Sequence, residues 1–567
     1  MTDAATPLVD VAQPAETPPS GEQTERSSRW AAWVFGAYVA AGLPLLVLGL
    51  GKFWWFFRDD WFFITDRDIS YHGLIDDHNG HWSTVPVVAF RFLWSIFGLH
   101  TYAPYKASVV ALHLVVVVCV RAVMRRYGVG PWLATVLAGV LVLFGAGRED
   151  ILWAFQIGFT GSIALMYVQW VIADRDQAPI DRRDLLGVVC GILAVASSSP
   201  SIPIVAALSV TLLIRRGWRA SVLHAAPPTA AYLLWSLLAS PDRSSPWGSP
   251  PVSALFEWVE NGLVSTVDDL TGHRWATVIL ALGVAAGTVL AVARPARPLP
   301  DDGPAPASDH RLVGFAFAAR RRLRPVIGPI ALFGATVLFI LLAAQRAWIF
   351  GPAAASASRY IYAYAAFSMP LVAMAIQELA RRWRPLAPLL ALLLIIGVPY
   401  NIERFRDPVF GPAHHAHQRD LLLNVVRSPA MAHAPDDVRP DPDGFNSPGL
   451  TVGFFRWAEA HGKLPEITTP IPSVIEAELT IRLGLDQDQV TEISPCEPTT
   501  LTEFEPEVGT SFYLSTSADV MVRDHDGPQW PTRLRQGDGP RVTVLAPDLD
   551  LQIRSEDGGP ATICVID

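Results

Sequence analysis

Apolar and polar positions fall in blocks along most of this chain, with long stretches that carry no charge. Two of them, 31–51 and 326–345, approach the ~20 residues that a helix rising ~1.5 Å per residue needs to cross ~30 Å of hydrocarbon. Eleven runs of this kind predict membrane spans: 33–51, 105–123, 132–146, 155–172, 185–198, 202–214, 221–238, 275–292, 326–344, 361–376 and 386–400. Ahead of the first, residues 1–29 are rich in Pro, Thr, Glu, Ala and Ser without periodicity, which predicts a disordered tail. That first run follows a long polar stretch and shows no small-residue cleavage site, so it is expected to be a retained span.

After residue 400 the pattern changes. RDLLLNVVRS and VGFFRWAEAHGKLP have helical spacing, whereas TSFYLSTSADVMVRDHD, PRVTVLAPDLDLQIR and ATICVID alternate as strands do. The expected fold class is therefore mainly α. A polytopic membrane domain of about 11 transmembrane helices spans residues 30–400, and a soluble α+β domain, 401–567, ends in a β-sandwich-like unit.

Loop charge sets the expected orientation. Arg26/Arg29, Arg125/Arg126, Arg182/Arg183, Arg215/Arg216, Arg294 to Arg324 and Arg381/Arg382/Arg384 fall on one side if every run crosses once. Short cytoplasmic loops carry the Lys/Arg excess, so the amino terminus is expected in the cytoplasm and the domain 401–567 outside an integral plasma-membrane protein. A large loop, 52–104, then also lies outside. Within it, the spacing of apolar residues over 85–99 predicts an amphipathic helix on the membrane interface.

Composition agrees with this picture. The chain is 51% hydrophobic and 17% charged, against about a quarter charged in soluble proteins. Its net charge of −9, without a basic stripe interleaved with aromatics, excludes a nucleic-acid partner. Cys119 and Cys190 fall within spans and read as small packing residues. Cys496 and Cys564 fall in the outer domain, where a disulfide between them is permitted and its formation left open.

Three charged groups mark candidate chemistry. Asp59 and Asp60 sit between WWFF and WFF, where neighbours prefer the interface to open water. A carboxylate there can accept a proton from a hydroxyl or hold a divalent cation such as Mg or Mn. Arg148, Glu149 and Asp150 cluster between two apolar runs. Arg359 opens a span at phosphate depth, where a guanidinium fork suits a phosphate. The triplet His414, His415 and His417 reads as a solvated loop. No P-loop, dinucleotide fingerprint, nucleophile elbow or C-x-x-C pair is present. Acids inside spans, the mark of ion-coupled transporters, are scarce.

These residues resemble the C-type (GT-C) glycosyltransferase superfamily, whose members use polyprenyl-phosphate sugars outside the cytoplasm. HWSTVPVVAFRFLWSIFGLHTYAPYKASVVALH is similar to the H-x-S…F-R…G…H-x-x-N-x-x-L-H pattern of protein O-mannosyltransferase-like members, with Lys106 near the Asn position. REDILWAFQIG resembles their Glu…Trp…Gly turn. The likeness covers the chain up to about residue 175 and Arg359-Tyr360. It implies that Asp59 or Asp60 is the catalytic base or orients the acceptor. His81, Trp82, Arg148, Glu149, Asp150, Gln156, Arg359 and Tyr360 would bind substrate, with Asp60 and Glu149 as possible metal ligands. The implied partners are a polyprenyl-phosphate-linked sugar, a glycan, lipid or protein acceptor, and membrane lipids. A lipid-linked-glycan transporter and an envelope-assembly scaffold are the rival expectations.

Overall fold

The computed structural model describes residues 21–239, 251–294, 319–406, 408, 411–432, 434–440, 449–466 and 472–483, with shorter segments between 485 and 566. Helices dominate. The first, α1 (Gly21–Pro44), continues through a π-helical stretch, Leu45–Leu50. It begins at Gly21, so the last part of the expected disordered tail is helical, while 1–20 lie outside the described residues. The loop that follows holds α2 (Asp59–Thr65), α3 (Tyr71–Ile75) and α4 (Thr84–Phe97). On α4, Val87, Phe90 and Trp94 are buried while Val88, Phe92 and Ile96 stay exposed in an i, i+4, i+8 row. An apolar row of that spacing suits a helix lying on the interface.

Next come α5 (Ala103–Arg126), α6 (Pro131–Val142), α7 (Arg148–Leu152) and α8 (Ile157–Ala173). They are followed by α9 (Arg182–Val195), α10 (Ser201–Arg215), α11 (Trp218–Leu238), α12 (Val252–Thr271) and α13 (Arg274–Ala293). Three long helices complete the apolar part: Ile327–Ala343, Ser358–Arg382 and Leu386–Ile395 with its continuation. At 24 residues, α5 is about 36 Å long, enough to cross.

The expected count of eleven spans is not met. Among the described residues seven helices are long and apolar enough to cross, or eight if the pair Pro131–Val142 and Gly145–Leu152, bent by 42°, is one broken span. The shortfall lies in 182–238. There α9 and α10 have 14 and 15 residues, only about 21–22 Å each, and α11 carries Pro227 and Pro228. All three are nonetheless helical and leave Leu185, Leu186, Val189, Leu233, Leu234 and Leu237 exposed. Between the runs expected at 221–238 and 275–292 lies α12, whose Trp258 is fully buried beside Tyr360.

At one end of the bundle, polar groups form a closed ionic network. Asp184, at the start of α9, accepts from Arg216 at 2.7 and 3.0 Å and from Arg175 at 2.9 Å, and His224 Nε2 lies 3.0 Å away. Asp174 pairs with Arg215 at 2.7 Å and accepts from Tyr127 Oη at 2.8 Å. Arg324 reaches Asp176 at 2.9 Å.

The boundary expected at residue 401 does not divide the core. Leu421, Leu422, Val425, Val452, Phe455 and Ile481 belong to the same buried cluster as the spans. Gly98 shows how closely the two parts meet. It has φ +50, and a Cβ there would lie 2.6 Å from the Lys463 carbonyl oxygen, so only glycine fits. The 412–418 segment is helical rather than a solvated loop: His415 is buried against Trp54 and Phe57, and His417 lies 3.1 Å from Glu476. A separate small core begins at Leu479 and Leu483. Among the described residues it joins two antiparallel sheets, one of five strands ordered β1-β7-β4-β9-β2 and one of four ordered β3-β8-β5-β6. The strands are β1 (Leu485–Asp486), β2 (Thr499–Leu501), β3 (Glu503–Phe504), β4 (Ser511–Leu514), β5 (Val520–Asp524), β6 (Thr532–Leu534), β7 (Arg541–Thr543), β8 (Leu551–Ser555) and β9 (Ala561–Ile566). Phe512 and Val542 from the first sheet meet Val522 and Ile553 from the second, as the sequence alternation predicts. Cys119 and Cys190 are free and buried, and Cys496 lies outside the described residues.

Candidate functional site

The ends of several apolar helices converge on one cavity of about 1230 Å³. Its lining comes from the start of the Ala154–Ala173 span, the end of Ile327–Arg346 and the start of Ser358–Arg382. Helix α2 of the 52–104 loop and the 197–202 turn close the rest. One part is cationic: Arg58, Arg346, Arg359 and Arg439 line it, against the carboxylate of Asp59. The other part is apolar, built from Phe159, Phe339, Leu342, Ile349 and Phe350.

Asp59 and Asp60 part company at the first turn of α2. Asp59 lines the cavity, with Oδ1 3.3 Å from His78 Nε2. Asp60 is fully buried and points inward. Its Oδ2 accepts from the Phe57 backbone N–H at 3.2 Å and from Tyr102 Oη at 3.1 Å. Tyr102 Oη in turn accepts from the Ala154 N–H at 2.8 Å. Asp60 thus ties the 52–104 loop to the starts of two apolar helices. Burial pushes its carboxyl well above the ordinary value, and the bonds from Phe57 and Tyr102 only partly oppose that. The residue before the pair, Arg58, has φ 49°, a conformation costing a non-glycine residue about 1–3 kcal/mol and common where a site holds a side chain in place.

The remaining sequence-predicted residues divide in the same way. His81 lines the cavity, held by Ser199 Oγ at 2.8 Å from Nδ1 and by Arg346 Nη2 at 3.1 Å from Nε2. A guanidinium only donates, so Nε2 accepts and Nδ1–H donates to Ser199. Burial, then the Arg346 charge, lower the His81 pKa to about 3, which keeps the ring neutral. Gln156, Arg359 and Tyr360 also line the cavity. Glu149 stands behind Arg359: its carboxylate is 3.6 Å from that guanidinium, and its N–H donates to Ser358 Oγ at 3.1 Å.

Trp82 does not line the cavity. It stacks on Trp235 with 5.7 Å between ring centroids and donates to Thr84 Oγ1 at 2.6 Å, bracing the loop from outside. Nor do Arg148 and Asp150 line it, the latter being fully buried. Asp269 is also structural, bonded by Tyr400 Oη at 2.9 Å. Sequence reasoning passed over Arg58, His78, Ser199, Arg346 and Arg439. Of these, Arg346 carried a usable signal, because it ends an apolar run just as Arg359 begins one.

Asp60 accepts from Tyr102 and Glu149 faces Arg359, and among the described residues no group of three or more His, Cys, Asp or Glu side chains gathers as metal ligands do. What the cavity offers chemically, among the described residues, is one carboxylate together with several guanidiniums and apolar side chains in the same lining. No protein-family model, curated protein or solved structure matches this chain.

Proposed function

We propose that this protein is an integral membrane glycosyltransferase of the C type. It moves a sugar from a polyprenyl-phosphate donor to a glycan, lipid or protein acceptor on the outer face of the plasma membrane. The observation that carries this reading is the composition of one cavity: Asp59, Arg346 and Arg359 beside the apolar wall of Phe339, Leu342 and Phe350. An anionic headgroup with a long hydrocarbon tail needs both halves, and a free sugar nucleotide needs only the first.

In the step proposed, Asp59 takes the proton of the acceptor hydroxyl as its oxygen bonds to the anomeric carbon. The bond from that carbon to the phosphate oxygen breaks, its electron pair leaves on the phosphate, and configuration inverts. Arg359 and Arg346 balance the leaving charge, and a guanidinium aimed at developing charge is worth most in such a water-poor site. Glu149 positions Arg359, and neutral His81 accepts from Arg346 to hold it at the cavity wall. The ionic network of Asp174, Asp184, Arg215 and Arg216 lies at the opposite ends of the spans, which supports placing that end in the cytoplasm.

The test is transfer from a radiolabelled polyprenyl-phosphate sugar by the purified full chain in nanodiscs. Asp59→Asn should lose about 10²–10⁴-fold in rate, the usual worth of a positioned general base. Equal transfer by the variant would remove Asp59 as the base, and absence of transfer by wild type would leave a transporter or assembly protein as the better reading.

A further inference from the structure

A second cavity of about 600 Å³ opens on the far side of the wall formed by Phe57, Asp60 and Tyr102. Phe57 stacks at 4.5 Å on Trp153, which lines the first cavity, and meets at 4.9 Å the ring of His415, which lines the second. We propose that this smaller cavity takes the phosphate-bearing headgroup of a membrane lipid, separately from any donor in the larger one.

Lys106 is the reason. It is 4% exposed, lines the cavity, and donates a hydrogen bond to the Gly51 carbonyl. No carboxylate pairs with it among the described residues, whereas the buried arginines at the opposite end each have one. An ammonium has three donors, and a buried charge is costly until an anion meets it. The chain makes room for this cation. A Cβ at Gly51 would lie 3.1 Å from Lys106 Cδ and 2.6 Å from the Leu46 carbonyl oxygen.

The surroundings choose a lipid over a free anion. Lys52 and Arg419 add positive charge at the cavity, whose lining also holds Glu466 and Asp420, the latter 2.8 Å from Arg419. Leu48 and Phe53, at the end of the first span, line the same cavity and are 67% and 41% exposed. A phosphate on Lys106 would therefore leave acyl chains running down an apolar strip that faces the bilayer.

Native mass spectrometry of the full chain in neutral detergent tests this with three probes: dihexanoyl phosphatidic acid, dihexanoyl phosphatidylcholine and inorganic phosphate. Wild type should retain phosphatidic acid and not be displaced by inorganic phosphate. Lys106→Met should weaken that retention by about tenfold, the scale of one charge-assisted contact. Arg359→Gln should leave it unchanged, which keeps this result independent of the donor reading. Should Lys106→Met not fold, Lys52→Gln should weaken retention in the same direction. Retention unaffected by either lysine variant, lost with Arg359→Gln, or matched by inorganic phosphate would overturn the proposal.

Discussion

The two adjacent aspartates differ because consecutive positions on α2 point about 100° apart. Asp59 faces the cavity and Asp60 the interior, where burial raises its carboxyl above the ordinary range. A raised folded value means that the native state binds more protons than the unfolded one. Stability from this group is then present at low pH and falls as pH climbs from the ordinary carboxylate range toward the raised value. Asp60→Asn should flatten that decline, so its unfolding midpoint in detergent should exceed wild type at alkaline pH and approach it in acid. A decline as steep as wild type would show that Asp60 is not the group responsible. The spacing D-D could not make this distinction, because both residues have the same neighbours in sequence.

At the scale of elements, the 52–104 loop and the carboxyl-terminal helices pack as one piece. Gly98 ends α4 with φ +50, and the Leu99 N–H donates to the Lys463 carbonyl at 2.8 Å. Gly98→Ala combines a positive φ with a close backbone contact and should cost more than ~1 kcal/mol. Thermal unfolding of the variant checks this, and an unchanged midpoint would mean that the contact yields. The interfacial pattern over 85–99 was legible because it depends only on helical spacing. His415 was not, since a buried histidine and a solvated one look alike until Trp54 packs against it.

For the whole molecule, the two ends of the bundle are chemically unlike. One presents cavities with cations in their lining, and the other buries Asp174 and Asp184 in pairs with Arg215 and Arg216. Asp184 anchors the closed end. Burial alone would raise its carboxyl, but the bonds from Arg216, the Asp181 backbone and His224 outweigh it and hold the value well below the usual one. Its contribution is therefore complete above the ordinary carboxylate range and is lost as pH falls through the depressed value. Asp184→Asn, which strands Arg216, should destabilise by about 3–5 kcal/mol, read as a lower denaturation midpoint at neutral pH. Sidedness is a separate expectation. An impermeant maleimide should label Tyr71→Cys on intact cells and Trp218→Cys only after permeabilisation; the reverse pattern would invert the topology and remove the lipid-donor argument.

Sequence alone determined that this chain is a helical membrane protein and that its final segment is built of alternating strands. Both follow from local periodicity and run length, which need no knowledge of distant contacts. Run length failed over 182–238, where the apolar stretches form two short helices and a continuous 21-residue helix that carries Pro227 and Pro228. Only the tertiary structure decided that Asp59 rather than Asp60 meets the cavity, that Arg346 joins Arg359 there, and that Lys106 lies buried at a second opening. Those facts depend on where helices distant in sequence meet, and a cavity is a property of that meeting rather than of any one segment.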